Sequence, residues 1–172
     1  MRVTILYSKS RLIFPIGSWL IRVIEADKIT RPLAGSHVSL CATIGGQRAM
    51  FESVSPLSRI ISVARWAEHH ESVQSWEIEI DATESEVMGW MLENSSKKYS
   101  RLQCVLIGIG ELFGGWVKAL VRKQNPNGSE YLICVEAVSR FLIAFAGFKF
   151  EQSPDMIGLK EFIDRMDAGK AA

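Results

Sequence analysis

Residues 131–145 read YLICVEAVSRFLIAF. Cys134, Ala137, Val138, Phe141, Leu142 and Phe145 fall at offsets 0, 3, 4, 7, 8 and 11, the spacing of one helical face. Glu136, Ser139 and Arg140 lie off that face. The spacing predicts one amphipathic helix over Tyr131–Phe145 with a cysteine in its opening turn. Upstream, Asn125-Pro126-Asn127-Gly128-Ser129 is a dense turn signal from which the chain enters the helix. Two readings of Cys134 stand side by side. It is either a small packed residue on an apolar stripe, or a thiol whose thiolate is favoured by the positive end of the helix dipole.

The elements that such a helix must cover come earlier in the chain. Val3–Tyr7 is rich in β-formers and predicts a first strand. Trp19, Leu20, Val23 and Ile24 recur at helical spacing, so a helix over about Ile16–Ala26 follows. In residues 36–43 Val38, Leu40 and Ala42 alternate with Ser39, Cys41 and Thr43, which is a strand period. Ile44-Gly45-Gly46-Gln47 is a hairpin turn and Arg48–Ser53 the returning strand. That hairpin brings His37 and Glu52 to its open end. Residues 57–70 fit both a strand at Ile60–Val63 and a short helix at Ala64–Glu71. Gln74–Ile80 alternates as a strand. Thr83-Glu84-Ser85-Glu86 has capping-box spacing and opens a helix to Glu93. Leu102 to about Val121 reads helical with glycine interruptions. Gly147 is a C-cap candidate, Phe148–Ser153 a last strand or an extended segment, Asp155–Met166 a C-terminal helix and 167–172 a frayed tail. The expected fold is α+β, a small antiparallel sheet packed against helices, in one domain spanning 1–172.

Composition narrows the function. The 172 residues are 48% hydrophobic and 23% charged, with Lys+Arg 20 against Asp+Glu 19 and a net charge of +1. Such a balance gives no electrostatic case for a nucleic-acid partner or for docking on a membrane surface. Three cysteines, Cys41, Cys104 and Cys134, read as reduced thiols rather than a disulfide framework. The apolar run after Arg2 breaks at Ser8-Lys9-Ser10-Arg11 with no cleavage site, so no signal peptide is read and the chain is expected in the cytoplasm as synthesised. Neither Phe14–Ile24 nor Cys104–Val121 predicts a stable membrane span. His69-His70, between Glu68 and Glu71, offers the residue types of a metal site. Adjacent helical residues project about 100° apart, so one ion needs other ligands, and the pair is read as a solvated helix end. Gly108-Ile109-Gly110 with Gly114-Gly115 lacks phosphate-loop spacing. Cys41, Cys104 and the tryptophans Trp66, Trp76, Trp90 and Trp116 read as structural. No metal and no organic cofactor is expected, and the sequence leaves the oligomeric state open.

A thiolate nucleophile needs a base and a group that orients the base. His37 at a strand start, Glu52 on the paired strand and Cys134 at a helix start supply one of each. Their order resembles the circularly permuted papain-like cysteine peptidases of the NlpC superfamily, the branch that includes lecithin–retinol acyltransferase-like proteins. Ser36-His37-Val38-Ser39-Leu40 resembles the family's histidine strand. Trp19-Leu20-Ile21-Arg22 resembles the helix before it, and Phe51-Glu52-Ser53 the strand that carries its polar residue. Tyr99-Ser100 and Ile133-Cys134-Val135-Glu136-Ala137-Val138 resemble its Tyr-Asp segment and Cys-Ser-Glu helix start, over roughly residues 3–160. Val135 replaces the usual Ser and Ser100 the usual Asp. The resemblance implies a Cys134-His37-Glu52 hydrolase with an acyl-enzyme intermediate. It implies oxyanion donors near Cys134, with Tyr131 and Tyr99 as supporting residues, and amide cleavage in a peptide or peptidoglycan-like substrate. A lipid acyltransferase or thioesterase, or an inactive binding or inhibitory protein on the same fold, are the alternatives. A cell-wall substrate would require another export route, lysis or delivery in a bacteriophage particle.

Overall fold

The structure is a computed structural model, described for residues 1–11, 35–100, 103–104 and 131–169. The helices expected over 16–26 and 102–121 lie outside the described residues or nearly so. The described chain is α+β. Five antiparallel strands, β1 (Arg2–Ser10), β2 (His37–Ile44), β3 (Gln47–Ser53), β4 (Ser58–Ser62) and β5 (His70–Glu79), form one sheet in the order β4-β3-β2-β1-β5. Four helices accompany it: α1 (Val63–His69), α2 (Glu84–Asn94), α3 (Cys134–Ala146) and α4 (Leu159–Gly169), with a 3-10 turn at Pro154–Met156. Among the described residues no helix is long and apolar enough to cross a membrane.

Period-2 alternation sorts the sheet into two faces. Val38, Leu40, Ala42 and Phe51 join Ile5, Trp76, Leu132, Val138, Phe141 and Leu142 in the main core beneath α3. Deleting a buried ring such as Phe141 costs about 3–5 kcal/mol in cores of this kind. On the opposite face Cys41, Met50 and Trp66 form a smaller cluster beneath α1. The β2–β3 turn is built as its glycines require: Gly45 and Gly46 have φ of 58° and 76°, the region a two-residue hairpin of this type demands. Ser62 caps α1 through Arg65 N–H, and Thr83 and Glu86 complete the capping box of α2.

Several boundaries differ from the sequence reading. Helix α3 begins at Cys134, not Tyr131, because residues 131–133 are captured by strand-like bonding. Tyr131 bridges Lys98, and Leu132 N–H donates to Lys98 O at 2.9 Å. Gly147 closes α3 in the left-handed region, as expected. Residues 148–153 contain no strand. The C-terminal helix starts four residues later and ends three residues later than expected, at Leu159–Gly169. Residues 167–169 belong to α4 rather than to a frayed tail, because Asp167 Oδ1 accepts from Gln74 Nε2 at 2.7 Å and Trp76 Nε1 at 2.9 Å. Strand β5 starts at His70, four residues before the predicted Gln74.

Candidate active site

The site forms at the end of β2, where both sheet faces run out. Gly35 sets the entry. A Cβ there would lie 2.5 Å from Ser8 O and 2.8 Å from Tyr7 Cε2, so only glycine lets the backbone come this close to β1. Tyr7 Oη donates to Gly35 O at 2.8 Å, and Ser36 N–H donates to Ser8 O at 2.9 Å. The next residue, His37, is thereby fixed as the first of the strand. Cys134 is fixed from the other side. Ser53 Oγ donates to Leu132 O at 2.7 Å, tying the chain two residues before the cysteine to the strand that carries Glu52. Ser58 Oγ donates in turn to Ser53 Oγ at 3.1 Å.

Cys134, His37 and Glu52 come together in one line. The thiol and the imidazole are hydrogen-bonded. His37 Nε2 stands 3.4 Å from Glu52 Oε2, which leaves Nδ1 for the sulfur. All three are buried: Cys134 is 6% exposed, His37 7% and Glu52 0%. Burial alone raises a thiol pKa. Here the His37 hydrogen bond and charge, with the backbone N–H groups of Val38 and Val135, outweigh burial and hold Cys134 below its ordinary value. Burial likewise lowers an imidazole, but the Cys134 sulfur and the Glu52 carboxylate outweigh it and raise His37 to about 9. Both shifts run in the direction of a thiolate–imidazolium pair. As the first residue of α3, Cys134 stands among helix N–H groups that have no intrahelical acceptor. Ile133 supplies no side-chain cap to occupy them, and they are the natural oxyanion donors.

Two more residues complete the site, and the sequence reading missed both. Arg59 faces Glu52 across the β3–β4 ladder. Its Nε donates to Glu52 Oε1 at 2.7 Å, and its Nη2 lies 2.6 Å from the same oxygen. His70, expected at a solvated helix end, is instead 7% exposed. Its Nε2 lies 3.2 Å from Glu52 Oε2, and its ring stacks between His37 at 4.8 Å and Trp66 at 5.2 Å. Trp66 is held by donating Nε1–H to Ser39 Oγ at 3.0 Å. A β-bulge explains the miss. Simple alternation puts His70 on the same side as Trp76, in the main core. Tyr7 pairs with Gln74 but Ser8 pairs with Ser72, so Val73 is the extra residue and everything before it changes face. His70 then pairs with Ser10 and lands on the face of His37, Ser39 and Glu52. Burial raises the Glu52 carboxyl, but the two histidines and Arg59 outweigh it and hold Glu52 well below the carboxylate range. Burial keeps His70 below its ordinary value, so this second ring is neutral at neutral pH.

The remaining candidates fall outside this line. Tyr99 Oη and Cys104 Sγ are 3.1 Å apart, and burial, with the charge at Cys134, pushes the Cys104 thiol up to about 12. Tyr131 is held by a backbone bridge to Lys98. Cys41 lies in the small core under α1, where Arg48 Nη2 reaches its sulfur at 3.4 Å. The donor set best placed for a metal ion among the described residues is His37, Glu52 and His70, whose ligand atoms lie within 4.8 Å of one another. No family model, no curated protein and no solved structure matches the chain.

Proposed function

We propose that the protein is a cysteine hydrolase that cleaves an amide bond through Cys134, His37 and Glu52. The observation that carries this reading is the buried line from thiol to imidazole to carboxylate, with the thiol depressed and the imidazole raised. Structural cysteines on apolar helix faces lack a charged partner, and burial leaves them protonated, as Cys104 is here.

In the reaction the Cys134 thiolate attacks the carbonyl carbon and forms a C–S bond. The carbonyl oxygen takes the negative charge and is held by N–H groups at the start of α3. His37 gives its Nδ1 proton to the leaving nitrogen, the C–N bond breaks and a thioester remains. His37, now neutral, accepts a proton from water as the water attacks the thioester. The C–S bond breaks, releasing a carboxylic acid and restoring the thiolate. Glu52 holds the His37 ring and stabilises its charge. Arg59 fixes Glu52 in turn, and His70 and Trp66 close that side of the site.

The proposed architecture is a circularly permuted papain-like one. Its support is the chain order, in which the histidine and acid strands precede the cysteine helix, and the antiparallel sheet packed on that helix. Peptidoglycan stem peptides are the proposed substrate class, following the resemblance in Ser36-His37-Val38 and the Cys134 helix start. The test is cleavage of purified muropeptides by wild type and Cys134→Ala, followed by mass spectrometry. Loss of a defined amide cleavage in the variant is expected. Equal product from both proteins sinks the assignment. Limited iodoacetamide at neutral pH provides a substrate-independent check, with Cys134 labelling before Cys41 and Cys104.

A further inference from the structure

His37 Nε2 and Glu52 Oε2 are both buried and both lack a hydrogen-bond partner among the described residues, although they lie 3.4 Å apart. Glu52 Oε2 lies within ion-pair distance of both rings yet makes a well-formed hydrogen bond to neither, and a buried polar atom left short of a full hydrogen bond needs a physical account. His70 Nε2 lies 3.2 Å from the same Oε2. A tetrahedral zinc ion binds His N and carboxylate O at about 2.0–2.2 Å, which places neighbouring ligand atoms about 3.3–3.5 Å apart. The two edges to Glu52 Oε2 are close to that length, and the three ligand atoms lie within 4.8 Å of one another.

We propose that His37 Nε2, His70 Nε2 and Glu52 Oε2 form a site for one divalent transition-metal ion of the zinc type, and that its occupancy switches the hydrolase off. The second half rests on the hydrolase reading; the first does not. Two nitrogens and one carboxylate oxygen are the donor chemistry such an ion takes, with a fourth position left for water. The groups behind the ligands are also in place. Arg59 occupies Glu52 Oε1 and leaves Oε2 exposed to the site. The His37 ring is held by its interaction with the Cys134 side chain, and Trp66 stacks on His70 while anchored to Ser39. Ligating histidines and carboxylates are oriented by partners of this sort. On binding, the ion replaces any proton on either Nε2, and that proton goes to solvent. The link between His37 and Glu52 is then occupied by metal, so the ring can no longer be held and charged as the acyl-transfer steps require.

The experiment uses the full chain carrying Cys134→Ala, stripped with a chelator and titrated with Co²⁺. One saturating equivalent with intense visible bands of four-coordinate cobalt, displaced by Zn²⁺, is the expected result. Adding His70→Gln, with the fold checked by circular dichroism, should weaken Co²⁺ at least about 10-fold. No saturable cobalt binding, or binding unchanged by His70→Gln, overturns the site. In wild type, Zn²⁺ should inhibit hydrolysis over the concentration range in which it displaces cobalt, and a chelator should restore it. Zinc that binds yet leaves hydrolysis untouched overturns the switch. A wild type inactive in the presence of chelator overturns the hydrolase reading instead, while the cobalt titration still decides the site.

Discussion

Two glutamates among the described residues are wholly buried, and they behave in opposite ways. Glu52 and Glu136 are each 0% exposed, and each is bound by an arginine. Arg59 grips Glu52, while Arg140 Nε donates to Glu136 Oε1 at 3.0 Å. Gln103 Nε2 donates to the other oxygen of Glu136 at 3.0 Å. Yet the Glu52 carboxyl is held low and the Glu136 carboxyl is raised, because at Glu136 burial outweighs Arg140 and Gln103. The difference is made by histidines. Glu52 faces two rings, one of them shifted toward its charged form by Cys134, whereas Glu136 faces a neutral amide and a single cation, with the Asp155 charge nearby. An arginine alone does not make a buried carboxylate reactive. Coupling to a second titrating pair does.

The largest break in the comparison comes from removing that pair. Cys134→Ala or His37→Ala should lower hydrolysis by about 10⁴-fold, measured as kcat/KM on an amide substrate, while Glu136→Gln stays within a few-fold. The pH profile of metal-free wild type sharpens the same point. The thiolate is lost as pH falls below the depressed Cys134 value, and the imidazolium is lost as pH rises through about 9. A bell with its basic limb near 9 is expected, and a limb near the ordinary histidine value of 6.5 contradicts the ion pair.

Glu52→Gln comes next. It should cost about 10²-fold in kcat/KM and move the basic limb to lower pH, since His37 loses its anionic neighbour. Its stability effect has a defined sign. Glu52 titrates below its ordinary 4.5, so its contribution is present above that value and lost as pH falls through the folded one. Urea unfolding at neutral pH should therefore show the variant less stable by about 2 kcal/mol. Gly35→Ala should be smaller in activity, about 10-fold. It acts by pushing the His37 strand off Ser8, and a crystal structure should show that shift. The smallest effect is the stability of Glu136→Gln. Glu136 titrates above its ordinary value, so its charge becomes a burden as pH rises through the folded value. The variant should be as stable as wild type or slightly more so at neutral pH, within about 1 kcal/mol. A marked loss would mean that the two buried acids are alike after all.

How much of this was legible beforehand depended on whether an element answers to its neighbours in sequence or in space. The β2–β3 hairpin, the capping box at Thr83 and the apolar stripe of α3 were readable because period, turn chemistry and caps are local. His37, Glu52 and Cys134 were singled out from element starts, the hairpin and a family-like order. Arg59 and His70 were not. Arg59 matters only because β4 pairs it with Glu52, a register that alternation within β4 does not specify. His70 matters only because Val73 is bulged, and a bulge is written in the pairing of two strands rather than in either alone.

The sequence by itself determined the elements and the residue chemistry on offer: α+β, a histidine strand, an acid on its hairpin partner, a cysteine opening a helix. Tertiary structure alone decided that the acid serves two histidines and an arginine, and that the thiol gains a charged partner. It also decided that the two buried glutamates titrate in opposite directions. The physical reason is that periodicity fixes which side of its own element a residue takes, whereas charge and pKa depend on what other elements bring within a few ångströms of it.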